Sequence, residues 1–382
     1  MGRQIYTEEH DIFRAAFKRY LEKEVVPHLE EWEENHEVPR EAWKKMGEQG
    51  YICPWLEEEY GGSGAGFEYS IIINEEMSRV RANGFSVGLH SDIIAPYINS
   101  FGSEEQKAKY LPGAATGDIL LAVAMTEPDA GSDLQAIRTR AVKDGDHYVI
   151  NGQKTFISNG YCCDLAVVAC KTDPNAKPAY KGISLILVEA GTPGFNKGRR
   201  LQKMGLQIQD TAELYFEDCR VPATNLLGQE GRGFYYLMDK LQQERLIAII
   251  RAQVGAEEML KLTMDYVKQR HAFGKPIGSF QHNAFKLAEM ATEIELGRTF
   301  FDDLLADHLE GRNIVKKVSM AKWWIGEMCN RVAYQCLQLH GGYGFMDEYV
   351  ISKWYRDVRA ITIYAGTTEI MKQVIAREMG LL

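Results

Sequence analysis

The spacing of apolar positions divides the chain into three stretches. From residue 7 to 35 they recur at helical period, with a break expected at Pro27, whose ring cannot continue the hydrogen-bond ladder. Helical patterns continue over 40–49, 68–83 and 104–110, interrupted by the glycine-rich loop Tyr60–Gly66. From residue 118 the character changes to short apolar or alternating runs. Ile119–Met125, Tyr148–Lys154, Leu165–Cys170, Ile183–Val188 and Glu213–Phe216 read as strands. Asp144-Gly145 and Asn151-Gly152 carry turn chemistry between them. From 231 the helical period returns and holds to the end. The expected fold class is therefore α+β, with a helical domain over 1–117, a β domain over 118–230 and a helical domain over 231–382. Such segregation argues against a doubly wound nucleotide fold. The glycines agree, since no cluster completes G-x-G-x-x-G after a strand.

Composition narrows the function classes. Apolar residues make up 45% and charged residues 25% of the 382 positions, as in ordinary globular proteins. No apolar run approaches the ~20 residues needed to span a bilayer, so no membrane role is expected. The net charge of −9 and the lack of a basic stripe exclude nucleic acid as an expected partner. Glu30, Glu31, Glu33 and Glu34 read as a solvated helix face, and Glu57–Glu59 as a loop. The seven cysteines form no CxxC pair, and the nine histidines no HxH, HxxxH or HExxH, so no metal site is expected and the thiols read as reduced. Met1-Gly2-Arg3-Gln4 opens neither an apolar signal core nor a transit segment, and Tyr6 is wrong for myristoylation. The expected location is the cytoplasm, or an organellar matrix for a mature form.

Three segments carry candidate chemistry. Ala124–Asp133 combines hydroxyls, carboxylates, a proline and a glycine; it reads either as a turn or as a polar loop presenting Thr126 and Ser132 to a flat ligand. Gln338–Phe345 ends a helix on three glycines; it is either a tight interhelical turn or a place where backbone approaches a ligand closely. Lys268–Lys275 is either an exposed basic helix end or a phosphate contact through Arg270 and Lys275.

In this order and spacing, the segments resemble the acyl-CoA dehydrogenase family over essentially the whole chain, to Gly380. Ala124–Asp133 matches one family signature, and Gln338–Asp357, including Lys353, the other. Gly205–Asp218 and Gln242–Leu246 look most like the long-chain and isovaleryl-type branches. The resemblance implies a helical N-terminal domain, a β-barrel-like middle domain with orthogonal packing, and a C-terminal four-helix bundle. It implies FAD, an acyl-CoA substrate oxidised to the 2-enoyl-CoA, an electron-transferring flavoprotein as acceptor, and a homotetramer built as a dimer of dimers. Met125, Thr126, Gly131, Ser132, Phe156, Ile157 and Ser158 match positions around the flavin ring, with Phe156 where relatives often carry Trp. Arg270, Phe273, Gln281, Gln338, Gly341 and Gly342 match residues that reach a neighbouring subunit's FAD. Thr367 and Glu369 match cofactor contacts, Glu369 replacing the Gln or Asn of some relatives; Ser132, Arg245, Tyr364 and Gly366 match acyl-CoA contacts.

The resemblance also raises a question about the base. Removing the proton α to a thioester calls for a carboxylate, raised by desolvation toward neutrality. Many relatives carry that Glu where this chain has Ala365. The long-chain and isovaleryl-type branches place it where Glu244 stands, on a helical face with Ile247, Ala248 and Arg251. Glu244 is thus the expected base, the other reading being an ion pair with Arg245 or Arg251. Ala365 keeps a backbone N–H for the thioester oxygen. Asp92, in Leu89-His-Ser-Asp-Ile-Ile, aligns with a pocket-lining helix of the family. It reads either as a cap or surface pair, or as a second acid–base group suited to alicyclic acyl thioesters. An acyl-CoA oxidase and an inactive flavin-binding scaffold are the competing activities.

Overall fold

The computed structural model describes residues 5–382; the reading of Met1–Gln4 lies outside them. Helix α1 (Glu8–Glu24) stops as expected before Pro27, which sits in a single 3-10 turn, Val26–His28, ahead of α2 (Leu29–Asn35). Then follow α3 (Arg40–Glu48) and α4 (Phe67–Arg79), the latter buried continuously from Ser70 to Ser78. Leu89–Ile94 forms one π-helical turn and leads into α5 (Ala95–Phe101). In α6 (Glu104–Thr116), Ser103 and Gln106 make a reciprocal capping box, and Pro112 is accommodated inside the helix.

The β region contains β1 (Leu121–Ala124), β2 (Arg140–Asp144), β3 (His147–Ser158), β4 (Leu165–Lys171), β5 (Ile183–Glu189), β6 (Phe195–Arg200), β7 (Thr211–Pro222) and β8 (Leu226–Leu227). They form one eight-stranded sheet in the order β6-β7-β3-β2-β4-β5-β8, with β1 paired parallel to β4. Two expectations are corrected here. The sheet is open, not barrel-like, because closure needs continuous pairing with a fixed stagger. Here β2 meets β4 through a single bridge, Arg140 to Lys171, and the terminal strands β6 and β8 are not joined. The sheet carries a core of its own, including Ile150, Ile157, Val168, Ile186, Leu214 and Phe216. Secondly, Asn151-Gly152 is not a turn. It lies inside β3 at a register shift, with Gly152 at φ 149, where a Cβ would sit 2.5 Å from Thr139 Oγ1.

The last third holds α7 (Gly233–Gln269), a short hairpin of β9 (His271–Ala272) and β10 (Lys275–Pro276), then α8 (Gln281–Leu309), α9 (Val315–His340), α10 (Val350–Val358) and α11 (Thr368–Glu378). Helix α9 is the hub, packed by α7, α8, α10 and α11. The three regions are tied together by charge. Glu33 is not part of a solvated face: it pairs with Arg81 and with Lys353 Nζ (2.7 Å), while Arg81 also reaches Asp357 at 2.8 Å. Asp357 in turn accepts the Leu206 N–H at 2.6 Å. Lys353 and Asp357, both within the second signature, thus join the N-terminal helices, the β region and α10.

Candidate active site

Glu244 lies in a stretch of α7 buried on all sides, from Glu244 to Ile250. It is 6% exposed, and the Tyr97 hydroxyl donates to Oε1 at 3.0 Å. Tyr97 comes from α5, so the N-terminal helices supply the one hydrogen-bond partner of this carboxylate among the described residues. Burial pushes the Glu244 carboxyl up to about 7, against the opposing effects of the Tyr97 bond and the Arg245 charge. Neither Arg245 nor Arg251 forms the ion pair that the alternative reading requires. Arg245 is itself buried; its guanidinium reaches Ser319 Oγ at 3.4 Å, and its Nε has no partner.

The Tyr364–Thr367 turn lies within reach of α7. Burial raises the Tyr364 hydroxyl, against the smaller, lowering effect of Arg251, two turns beyond Glu244. Ala365 has φ 53 and Gly366 φ 90, left-handed backbone that positions the turn between α9 and α11. Among the described residues no backbone carbonyl accepts the Ala365 N–H. Lys322, from α9, donates to the Gly366 carbonyl. Helices α7 and α9 thus both present cationic side chains to this turn, Arg251 near Tyr364 and Lys322 at Gly366.

Asp92 is 2% exposed and turned inward, so it is neither a cap nor a surface pair. Asn74 Nδ2 donates to Oδ2 at 2.8 Å and the Ser91 hydroxyl to Oδ1 at 3.2 Å. Gln243, next to the candidate base, donates to the Asp92 carbonyl at 2.6 Å. Burial raises the Asp92 carboxyl to about 6, opposed by its hydrogen bonds and by Arg251.

The loop after β1 is pinned to β3. Thr155 N–H donates to the Thr126 carbonyl at 2.9 Å, and Lys154 Nζ reaches the Met125 carbonyl at 3.0 Å and Glu127 at 2.8 Å. Glu127 accepts the Arg138 and Thr139 N–H groups as well. This sets Met125 and Thr126 beside Phe156, Ile157 and Ser158. Phe156, at φ 59, stands 67% exposed above that wall, while Ile157 is buried below it. Gly131 and Ser132 lie exposed further along the loop.

A third group sits apart from these. A surface cavity of about 540 Å³ is lined by Tyr266, Arg270, Ile277, Gln338, His340, Gly341, Gly342 and Tyr343, and by none of the loop residues. The Arg270 guanidinium lies 5.7 Å from the Tyr343 ring centre. Phe273 tops the β9–β10 hairpin, 95% exposed, in a two-residue turn with φ 53 and 81 at Phe273 and Gly274. Gln281 opens α8 and is exposed. The Thr367 hydroxyl caps α11 by accepting the Ile370 N–H at 3.3 Å, and Glu369 is exposed in the first turn of that helix.

Tyr97, Lys154 and Lys322 are absent from the sequence reading. The two lysines had a visible signal, because each puts a charge at a core position. Lys322 falls in the apolar series Val318, Ala321, Ile325 and Cys329, and Lys154 is 1% exposed in β3. Tyr97 had none, since a buried tyrosine is ordinary.

Three family domains match along the chain: acyl-CoA dehydrogenase N-terminal domain over 7–118, middle domain over 122–219 and C-terminal domain over 231–380. The chain is 48% identical over 377 residues to the long-chain specific acyl-CoA dehydrogenase, mitochondrial, of Sus scrofa, covering 99% of this chain and 88% of that protein. It is 36% identical over 374 residues to the isovaleryl-CoA dehydrogenase, mitochondrial, of Pongo abelii, covering 97% and 88%. The crystal structure of acyl-CoA dehydrogenase from Geobacillus kaustophilus superimposes with a TM-score of 0.98 at 59% identity, covering 99% of each chain. This chain belongs to the acyl-CoA dehydrogenase family.

Proposed function

We propose that this chain is an FAD-dependent acyl-CoA dehydrogenase in which Glu244 takes the α-proton and the Ala365 N–H receives the thioester oxygen. One observation carries the assignment of the base. Glu244 is a deeply buried carboxyl with no ion-pair partner among the described residues, raised to about 7, in a chain whose residue 365 is an alanine with no acid of its own. At neutral pH such a group is poised between accepting and releasing a proton, which suits general-base work.

The residues present fit FAD. A Cβ at Gly341 or Gly342 would meet nothing within 4 Å, so the backbone there is open to a ligand, with Arg270 on the same cavity to meet phosphate. The pinned loop and the exposed Phe156 face offer a wall for a flat ring. On this reading Met125, Thr126, Gly131, Ser132, Phe156, Ile157 and Ser158 hold the ring. Arg270, Phe273, Gln281, Gln338, Gly341 and Gly342 hold the remainder from a neighbouring subunit, and Thr367 and Glu369 also contact it. When bound, FAD accepts the hydride from the β carbon. The chain's own part is to hold the thioester at Ser132, Tyr364 and Gly366, keep water from Glu244, and move the α-proton to its carboxylate. Arg245, enclosed beside Lys322, acts on the substrate through its charge.

Electrons leave to an electron-transferring flavoprotein, and the working unit is a homotetramer whose protomers consist of three units, 1–117, 118–230 and 231–382. No helix among the described residues is long and apolar enough to cross a membrane. The cytoplasm or an organellar matrix is the proposed location.

Glu244→Gln tests the assignment. The variant keeps FAD and acyl-CoA binding but loses turnover by roughly 10²–10⁴-fold, the usual contribution of a positioned base. Wild-type turnover in that variant overturns it. Stopped-flow mixing of the substrate-reduced enzyme with air separates dehydrogenase from oxidase: slow reoxidation is expected, and fast reoxidation identifies an oxidase.

A further inference from the structure

We propose that Lys322 is a positioning residue for the reaction, fixing the 364–367 turn through the Gly366 carbonyl so that the Ala365 N–H meets the thioester oxygen. The proposal rests on the reading of Ala365 given above and adds to it the group that makes its geometry hold.

Lys322 occupies a core position. It is 2% exposed, and Val318, Ala321 and Ile325 around it on α9 are fully buried. A methionine would fill similar volume without the cost of burying an amine. The amine has a specific use, which is its bond to the Gly366 carbonyl. That carbonyl closes a turn in which Ala365, a residue with a Cβ, holds φ 53. Left-handed backbone at such a residue costs on the order of 1–3 kcal/mol and persists only where its surroundings impose it.

The surroundings here are few and identifiable. Before Ala365, Tyr364 is packed against the core, within reach of the Arg251 charge on α7. On the far side Thr368 Oγ1 donates to Glu327 Oε1 at 2.7 Å, and Thr367 caps α11. Glu327 is itself on α9, so the helix grips the segment twice, at Thr368 in the first turn of α11 and, through Lys322, on the residue that follows Ala365. Without the Lys322 bond the Gly366–Thr367 peptide loses its anchor, the left-handed backbone at Ala365 loses one of the contacts that impose it, and the N–H loses its aim. An oxyanion donor works only when it is already placed for the charge that develops.

The charge environment is consistent. The Arg245 charge acts on Lys322, opposed by those of Glu327 and Glu369. Burial and Arg245 draw the amine down to about 8. A cationic pair enclosed in this way disfavours a second buried positive charge and favours a developing negative one.

The test compares Lys322→Met, which removes the donor, with Lys322→Gln, which keeps an N–H without the charge. Two probes are titrated into the FAD-loaded enzyme by calorimetry. One is a 3-thiaacyl-CoA, whose acidic α C–H lets it bind as the enolate. The other is an S-alkyl-CoA thioether with no carbonyl oxygen. In Lys322→Met, kcat falls and the 3-thiaacyl-CoA Kd rises, each by about tenfold or more, while FAD content and thioether Kd stay within about twofold. Lys322→Gln recovers part of the loss. Unchanged 3-thiaacyl-CoA binding overturns the proposal. So does equal weakening of both probes with loss of FAD, which assigns Lys322 to the core alone. If Lys322→Met does not fold, Lys322→Gln carries the same comparison; failure of both to fold also assigns Lys322 to the core and overturns the proposal. Glu244→Gln is run alongside. Full turnover in that variant removes the wider reading of the site, whereas an inactive Glu244→Gln with wild-type 3-thiaacyl-CoA binding in the Lys322 variants removes only Lys322.

Discussion

As the proposed base, the Glu244 carboxyl meets opposite demands from folding and from catalysis. Burial raises it from 4.5 to about 7, and the sign of the consequence follows from linkage. Below the unfolded value the group is protonated in both states and burial costs nothing electrostatic. As pH rises through 4.5 and on to about 7 the unfolded chain ionises first, and stability falls; above that the loss is complete. The ceiling is on the order of 3 kcal/mol for a shift of this size. Glu244→Gln, which still accepts the Tyr97 hydrogen, is therefore expected to melt several degrees higher than wild type at pH 8 and nearly level with it at pH 4. Differential scanning calorimetry at the two pH values checks this, and an equal shift at both would assign it to packing. Catalysis reads the same group from the other side: kcat/KM should rise with pH and turn over near 7. Tyr97 lowers the carboxyl by donating to it, so Tyr97→Phe should move that inflection to higher pH. An inflection that stays put would detach Tyr97 from the base. At this scale the sequence was informative about Glu244 through the alanine at 365, but silent on Tyr97, whose partner is distant in the chain.

At the scale of elements, legibility follows how evenly the faces of a segment are buried. Strands β4 and β5, buried at nearly every position, read clearly as apolar runs. Strand β2 has one buried residue and β6 one, so neither gives a pattern to read. The π turn and α5 fail for the opposite reason: from His90 to Ile98 every residue is buried, and no polar face marks the helical period. That segment, placed on a helix by the family resemblance and not by its own period, carries Asp92. A π turn inserts one extra residue per turn and re-aims its side chains, often at functional sites. Here it turns a carboxylate toward Asn74 and Arg251, next to the helix that carries Glu244. We take Asp92 to set the polarity of the acyl end of the site. Asp92→Asn removes the charge and keeps the Asn74 contact. Its kcat/KM should rise for plain long acyl-CoAs relative to short, branched or cyclic ones, by roughly tenfold, about the worth of one or two buried methylenes. A selectivity profile identical to wild type across such a panel withdraws Asp92 from the acyl site.

At the scale of the whole molecule, the chain by itself leaves the residues proposed to hold FAD in two separate places. The loop-and-strand wall at Thr126 and Phe156 is one; the cavity at Arg270, Gln338 and Gly341 is the other, and the two share no lining residue. The segments that line the second place also carry unusual apolar exposure: Phe273 at 95%, on the hairpin after Arg270, and Phe345 at 80%, in the turn after Gly342. Both facts have one explanation if the cavity completes the site of a second copy. The order of segments along a sequence cannot reveal this, because residues that meet across subunits need no proximity within one chain. Two inactive variants make the idea testable. Glu244→Gln lacks the base but keeps Arg270, whereas Arg270→Ala keeps the base but cannot grip a neighbour's FAD. Dissociated, mixed and reassembled, they should regain activity, because the Arg270→Ala subunit supplies Glu244 and receives Arg270 from its partner. Each parent alone, taken through the same cycle, should stay inactive. A mixed oligomer confirmed by mass spectrometry that shows no more activity than its parents would place both halves of the site within one protomer, and the exposed Phe273 would then need another partner.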